Sequence, residues 1–178
     1  MNKGFNSAAN KAGFKPSCFV AGTLVMAVAG MVAIEKIKSG DKVISTDPET
    51  METSPKTVLE TYIREVTTLV HLTVNGEEIV TTVDHPFYVK NQGFIKAGEL
   101  IVGDELLDVN GNVLLVENFD VELTDDSVKV YNFQVEDYHT YHVSGLGVLV
   151  HNAGDCSNLK DSKYVGEGKS LQRLKKDR

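Results

Sequence analysis

The chain of 178 residues contains no tryptophan, four prolines and two cysteines. Two cysteines make no disulfide framework, and Cys18 and Cys156 offer no Cys-x-x-Cys spacing for a metal. Each thiol is therefore judged by its surroundings. Cys18 opens an apolar run, whereas Cys156 lies in a polar tail and is expected to do nothing more than sit there. A basic excess is also missing. The formal net charge is −7, which argues against nucleic acid as the main partner. An apolar run long enough to span a membrane is missing too. The run from Cys18 to Ile34 falls short of the roughly 20 residues a span needs, and Gly22, Thr23 and Gly30 punctuate it into two short strands and a turn. Lys3, Lys11 and Lys15 precede that run, and Ala27-Val28-Ala29 resembles a signal-peptidase site. On that second reading a secreted binding protein would start near residue 30 and Cys18 would be discarded.

What is present points to strands. Hydrophobic residues make up 42% of the chain, enough for a core, and 24 Val and 13 Thr favour a β fold over a helical bundle. The charge is unevenly spread. Residues 1–17 carry three Lys and no acid, residues 153–178 carry seven Lys/Arg against four acids, and residues 18–152 carry eight basic and twenty-one acidic residues. Two mildly basic, mobile flanks (1–17 and 153–178) around an acidic functional unit (18–152) are the expectation.

Period-two patterning and turn residues predict strands at 23–28, 31–34, 42–46, 56–63, 68–74, 77–83, 86–90, 105–109, 112–122, 128–135, 140–143 and 147–150. Asn75-Gly76 and Asn110-Gly111, each between apolar runs, predict hairpins. Short helices are expected after Ile34 or at 95–101, and at 169–176. An internal repeat runs through the unit. Ile37-Lys38-Ser39-Gly40-Asp41 parallels Leu100-Ile101-Val102-Gly103-Asp104, and His85-Pro86-Phe87-Tyr88-Val89 parallels His139-Thr140-Tyr141-His142-Val143. Two patterns repeated in one order predict two related β halves.

The ends of the unit carry reactive side chains. Cys18-Phe19-Val20-Ala21-Gly22-Thr23 at the front and Gly147-Val148-Leu149-Val150-His151-Asn152 at the back closely resemble the ends of an intein-type Hint domain. Thr82-Val83-Asp84-His85 matches that family's Thr-x-x-His motif, and Val130 to Glu136 followed by His139-Thr140-Tyr141 resembles its last motif. The resemblance covers 18–152, has no room for a homing endonuclease, and is similar to minimal inteins and bacterial intein-like domains. It implies an all-β, horseshoe-like, pseudo-two-fold Hint fold. It also implies that Cys18, Thr82, His85, His139, His151 and Asn152 are the catalytic residues, with Ser17 and Ala153 beside the scissile bonds.

The chemistry follows from residue types. Cysteine is the best side-chain nucleophile near neutral pH, although a free pKa of about 8.5 leaves little thiolate. Attack on its own preceding carbonyl, that of Ser17, would exchange an amide for a thioester, a change that a relaxed peptide bond disfavours. The resemblance gives His85 the task of protonating the leaving nitrogen and Thr82 that of holding the amide or its developing charge. At the far end the Asn152 side-chain amide can close a succinimide and cut the bond to Ala153, with His151 polarising the scissile carbonyl and His139 relaying a proton. This chemistry needs no cofactor and no metal. His139 and His142, three apart in a strand, would point to opposite faces and share no ion. His142 reads as surface or packing, and His71 as structural.

Two positions depart from the splicing pattern. Ala153 stands where a splicing intein has Cys, Ser or Thr, and Asn132 stands where many have Asp. Cleavage is therefore expected to dominate over ligation. The expectation is a monomeric, single-turnover, cis-acting domain rather than a multiple-turnover enzyme. Its substrates are its own flanking polypeptides, with a small thiol or water as acyl acceptor, and no nucleic acid or membrane takes part. By resemblance its host is a bacterial secreted or surface protein. The alternatives are hedgehog-type thioester release to an external nucleophile and a non-catalytic acidic all-β binding module.

Overall fold

A computed structural model describes residues 17–152. The expected flanks, the helix at 169–176, Cys156 and Ala153 lie outside the described residues. The strands are β1 (Phe19–Val20), β2 (Leu24–Ala27), β3 (Gly30–Ala33), β4 (Lys42–Thr46), β5 (Thr53–Val74), β6 (Glu77–Thr81), β7 (Pro86–Val89), β8 (Gly93–Lys96), β9 (Glu105–Leu107), β10 (Val113–Val135), β11 (Thr140–Val143) and β12 (Val148–His151). They join in one sheet of order β11-β12-β7-β9-β10-β1-β6-β5-β4-β2-β3, with β8 on β7 and further pairings β11–β2 and β10–β5. The apolar run at 18–34 thus forms β1, β2 and β3, and Phe19 and Val25 are buried in the core.

The two halves repeat each other bond for bond. Gly40 N–H donates to the Val58 carbonyl, and Val58 N–H to the Asp41 carbonyl; Gly103 and Val116 do the same with Asp104. The Asp41 and Asp104 carboxylates each accept from the backbone N–H three residues earlier, at Lys38 and Ile101. A 3₁₀ turn precedes each motif, Ile34–Lys36 in one half and Ala97–Glu99 in the other. Each half therefore runs hairpin, 3₁₀ turn, Gly-Asp turn, long strand.

Those long strands correct the sequence expectation. The predicted segments 56–63 and 68–74 are one strand, β5, and 112–122 and 128–135 are one strand, β10. The polar stretch at 64–67 alternates half-buried and exposed residues and keeps the pleat. Thr124–Ser127, rich in turn residues, forms a bulge: pairing jumps from Leu123↔Thr68 to Val128↔Val66 without ending the strand. The segment read as a short helix at 95–101 holds the end of β8 and then the 3₁₀ turn. The Asn75-Gly76 hairpin forms as expected, with φ of 45° and 86°, the left-handed pair that a two-residue turn requires. At the second hairpin the turn is wider. Gly111 N–H donates to Asp108 O, and Asp108 Oδ1 caps the N–H groups of Asn110 and Asn112.

Core packing centres on Phe19, Phe87, Phe133 and Tyr141, all fully buried, with Leu72, Ile79 and Leu106. Two histidines brace the fold. His71 on β5 bridges Glu78 on β6 (2.9 Å) and Glu122 on β10 (2.7 Å), and both carboxylates hold its pKa above the ordinary value. His142 is buried on β11. Its Nδ1–H donates to the Gly147 carbonyl (2.9 Å) and its Nε2 accepts from the Thr46 hydroxyl (2.7 Å).

Burial pushes the His142 pKa down to about 4. A depressed histidine contributes stability that is complete above its unfolded pKa, about 6.5, and is lost as pH falls toward 4, up to about 3 kcal/mol. Urea unfolding at pH 7 and pH 4.5 is expected to show a smaller acid-induced loss for His142→Gln than for the unsubstituted chain. An equal loss in both would remove His142 from the acid response.

Candidate active site

Strand β1 lies between β10 and β6, pairing Phe19 with Tyr131 and with Thr81. That position fixes the peptide just before it. Ser17 and Cys18 are buried. The Cys18 N–H, the nitrogen of the Ser17–Cys18 bond, donates to Thr82 Oγ1 (2.9 Å). The Cys18 carbonyl accepts from Thr82 N–H (2.9 Å) and from the Thr81 hydroxyl (3.0 Å). On the other side of the bond, the Ser17 carbonyl accepts from Asn132 Nδ2. Both ends of this amide are thus gripped by side chains.

The thiol is held uncharged. Burial pushes the Cys18 pKa up to about 12; Arg64 pulls it down and Asp84 pushes it up by smaller amounts. Asp84 is itself raised by burial, an effect opposed first by a hydrogen bond from the Thr82 hydroxyl. Thr82 therefore spends its proton toward Asp84 and turns a lone pair to the Cys18 N–H. A cleft of about 430 Å³, lined by Arg64, Thr82, Val83 and Asp84 among others, opens from this corner.

Thr82 and His85 belong to one short loop between β6 and β7. The 3₁₀ turn after β8 clamps it: Gly98 N–H donates to the Val83 carbonyl and Ala97 N–H to the His85 carbonyl, both at 2.8 Å. A Cβ at residue 98 would come within 2.5 Å of Val83 Cγ1, so glycine is required for this approach. The His85 ring is fully buried, packed on Phe19 at 4.2 Å between centroids, and neither ring nitrogen closes a hydrogen bond. Burial, and then the neighbouring His151, push its pKa down to about 3, while the carbonyls of Ser17 and His151 act the other way. The imidazole is neutral at pH 7 and sits near both ends of the unit.

The second end is organised by β12 and the turn before β11. His151 and Asn152 are buried. His151 Nδ1–H donates to the Asn152 carbonyl at 2.6 Å, so the proton is on Nδ1. The His151 ring packs edge-on against Phe94 at 5.0 Å and lies 6.1 Å from the His139 ring. His139 has a φ of 57°, uncommon for a residue with a side chain, and its carbonyl accepts from Asn152 N–H (2.8 Å).

Of the sequence-predicted residues, Ser17, Cys18, Thr82 and His85 form one cluster and His139, His151 and Asn152 form another, with His85 beside both; Ala153 lies outside the described residues. Three contacts were not foreseen. Asn132, noted in the sequence only as a departure, reaches the Ser17 carbonyl. Tyr141 donates to Asn132 Oδ1 at 2.5 Å, and Thr81 grips the Cys18 carbonyl. The residue types carry no signal for these contacts, except that the motif places Asn132 and Tyr141 in the block that precedes the C-terminal end.

A family model described as the pretoxin HINT domain matches residues 24–153. The solution structure of a bacterial intein-like domain from Clostridium thermocellum is similar at 63% identity and a TM-score of 0.75, over 76% of this chain and 98% of that one. A DnaB intein from Synechocystis sp. PCC 6803 has the same fold at 15% identity and a TM-score of 0.62, over 76% of this chain and 98% of that one. The gp41-1 intein does so at 22% identity and 0.63, over 78% and 100%. Among curated proteins, the DNA-directed RNA polymerase III subunit rpc2 of Dictyostelium discoideum is 29% identical over 84 residues, 44% of this chain, and the chain spans 5% of that protein's length.

Proposed function

The chain belongs to the pretoxin HINT domain family, and from that premise we propose that residues 18–152 cut their own chain at two bonds, before Cys18 and after Asn152. The observation that carries this reading is the neutral, buried His85, set near the Ser17 carbonyl at one end and His151 at the other. Intein-like domains are its relatives in sequence and fold.

At the first bond, the Cys18 sulfur attacks the Ser17 carbonyl carbon. A C–S bond forms, the C–N bond breaks, and the proton lost by sulfur ends on the freed nitrogen. A thiol pushed up to about 12 is almost wholly protonated at neutral pH. The proton leaves as the C–S bond forms; His85, beside the Ser17 carbonyl, passes it on to the departing nitrogen, and the low basicity that burial imposes on the imidazole favours this second half of the relay, in which it acts as the acid. Thr82 holds that nitrogen by its N–H. At the second bond, Asn152 Nδ2 attacks its own carbonyl carbon, closing a succinimide and releasing the amine of Ala153. His151 already donates to that carbonyl oxygen, and His139 takes part in the proton transfer. The flanking polypeptides are the cis substrates, and a small thiol or water takes the acyl group. No cofactor enters either step.

Cleavage dominates ligation in this reading because Ala153 has only a methyl group, so the thioester finds no acceptor at the downstream junction. Intact-mass analysis of the purified chain, with and without dithiothreitol, tests it. Separated 1–17 and 153–178 fragments are expected, with thiol accelerating the first, and Ala153→Cys is expected to raise the yield of joined flanks. An unchanged mass after long incubation would support the binding-module reading instead.

A further inference from the structure

We propose that Asn132 is an oxyanion donor for the Ser17–Cys18 acyl shift and that Tyr141 is the positioning residue that keeps its amide facing the right way. The inference rests on the acyl-shift reading above and concerns two residues of the last motif to which no catalytic role is given there.

An asparagine amide has one acceptor end and one donor end, and only its partners decide which faces the substrate. Here Oδ1 is occupied twice: the Phe133 N–H donates to it at 2.8 Å and the Tyr141 hydroxyl at 2.5 Å. Both partners are donors, so Oδ1 is fixed on that side and Nδ2 must point the other way. It points at the Ser17 carbonyl oxygen. The three residues are buried, Asn132 on β10 and Tyr141 on β11, with Tyr141 packed against Phe133 at 4.1 Å between ring centroids. The amide is therefore held in place before the reaction, in a site shielded from water.

When sulfur adds to the carbonyl carbon, the C=O π pair moves to oxygen, and the neutral acceptor becomes an oxyanion. A hydrogen bond to a charged acceptor is roughly twice as strong as one to a neutral carbonyl. The Asn132 contact thus strengthens as the transition state forms, which is the condition for catalysis rather than mere binding. When the C–N bond breaks, the oxygen pair returns to reform C=O, now in the thioester. An ionised aspartate at 132 would present an acceptor to this oxygen, and only its protonated form could donate. Asparagine supplies a donor at the same length. Burial keeps the Tyr141 hydroxyl protonated, so it remains a donor to Oδ1.

The test follows dithiothreitol-induced release of residues 1–17 by mass in the full chain, with cleavage after Asn152 as an internal report that the domain is folded. Asn132→Ala is expected to slow the first reaction by about 100-fold or more, the loss seen when a single oxyanion donor is removed, while fragment 153–178 still appears. Tyr141→Phe should slow it less, by roughly 10-fold, because the Phe133 N–H still holds Oδ1. A direct readout uses the Cys18→Ala chain, in which the bond after Ser17 stays uncut, with the Ser17 carbonyl labelled with ¹³C: its infrared amide band is expected to rise in frequency when Asn132→Ala or Tyr141→Phe is added, as the hydrogen bond is lost or loosened. Asn132→Asp adds a pH signature, slow at neutral pH and recovering toward acid, where a protonated carboxyl can donate. Unchanged release in Asn132→Ala, or an unmoved carbonyl band in Tyr141→Phe, would overturn the proposal. If Asn132→Ala loses both cleavages, the carbonyl band in Tyr141→Phe decides. Failure of the acyl-shift reading itself looks different: thiol-induced release would then persist in Cys18→Ala.

Discussion

Replacing Cys18 with alanine is expected to abolish thiol-induced release of residues 1–17, a loss of at least about 1,000-fold, and to leave cleavage after Asn152 able to proceed. A small thiol attacks thioesters readily and unstrained amides hardly at all, so its effect reports on thioester present at residue 17. Alanine keeps the size of a small buried apolar side chain, and Cys18 sits with Leu69 and Val130 in a small cluster apart from the main core, so the fold is expected to survive. The Cys18 N–H to Thr82 bond and both bonds to the Cys18 carbonyl are made by the backbone and remain. The amide is then still gripped at both ends but lacks an attacking atom. Mass analysis after incubation with dithiothreitol, at matched times for both chains, measures the outcome. Release from Cys18→Ala at the rate of the unsubstituted chain would show that cleavage does not pass through this sulfur.

The parts of this site that were legible in the sequence are those in which one residue carries its own chemistry. A cysteine at the head of an apolar strand, a histidine closing a Thr-x-x-His loop and a terminal His-Asn pair suggest reactions by type and order, and the duplicated Gly-Asp motif declares the two halves, which repeat the same backbone bonds. What escaped was relational. That Asn132 offers its donor end to Ser17 depends on Phe133 N–H and Tyr141 both claiming Oδ1, a fact of three-dimensional packing. That Gly98 clamps the Thr82–His85 loop depends on a turn thirteen residues beyond His85 folding back onto Val83. The long strands escaped for a related reason. Thr124-Asp125-Asp126-Ser127 is turn chemistry by local propensity. In a two-stranded ribbon with water nearby, the same residues bulge out and the ladder resumes at Val128. Local preference was read correctly there and its consequence was not, because pairing with β5 on either side outweighs it.

At the other bond, Asn152→Ala is expected to eliminate release of residues 153–178, since alanine has no nitrogen to attack the adjoining carbonyl. The backbone at 152 is held by its N–H to the His139 carbonyl and by its own carbonyl to His151 Nδ1, and neither bond involves the lost side chain. The variant thus keeps the scissile carbonyl polarised while removing the nucleophile, which separates the two contributions. His151→Ala does the reverse: the nucleophile remains, the donor at 2.6 Å is gone, and a slowing of about 100-fold is expected, the lower range for a positioned acid or donor. In the unsubstituted chain the fragment ending at Asn152 should first appear lighter by one water than the free acid, because ring closure expels the amine without hydrolysis, and should gain that water on standing. Time-resolved mass spectrometry of the three chains distinguishes the outcomes. A fragment carrying the free acid from the earliest time, together with continued release in Asn152→Ala, would mean that water rather than the side-chain amide attacks this carbonyl, and His151 would then be polarising it for hydrolysis.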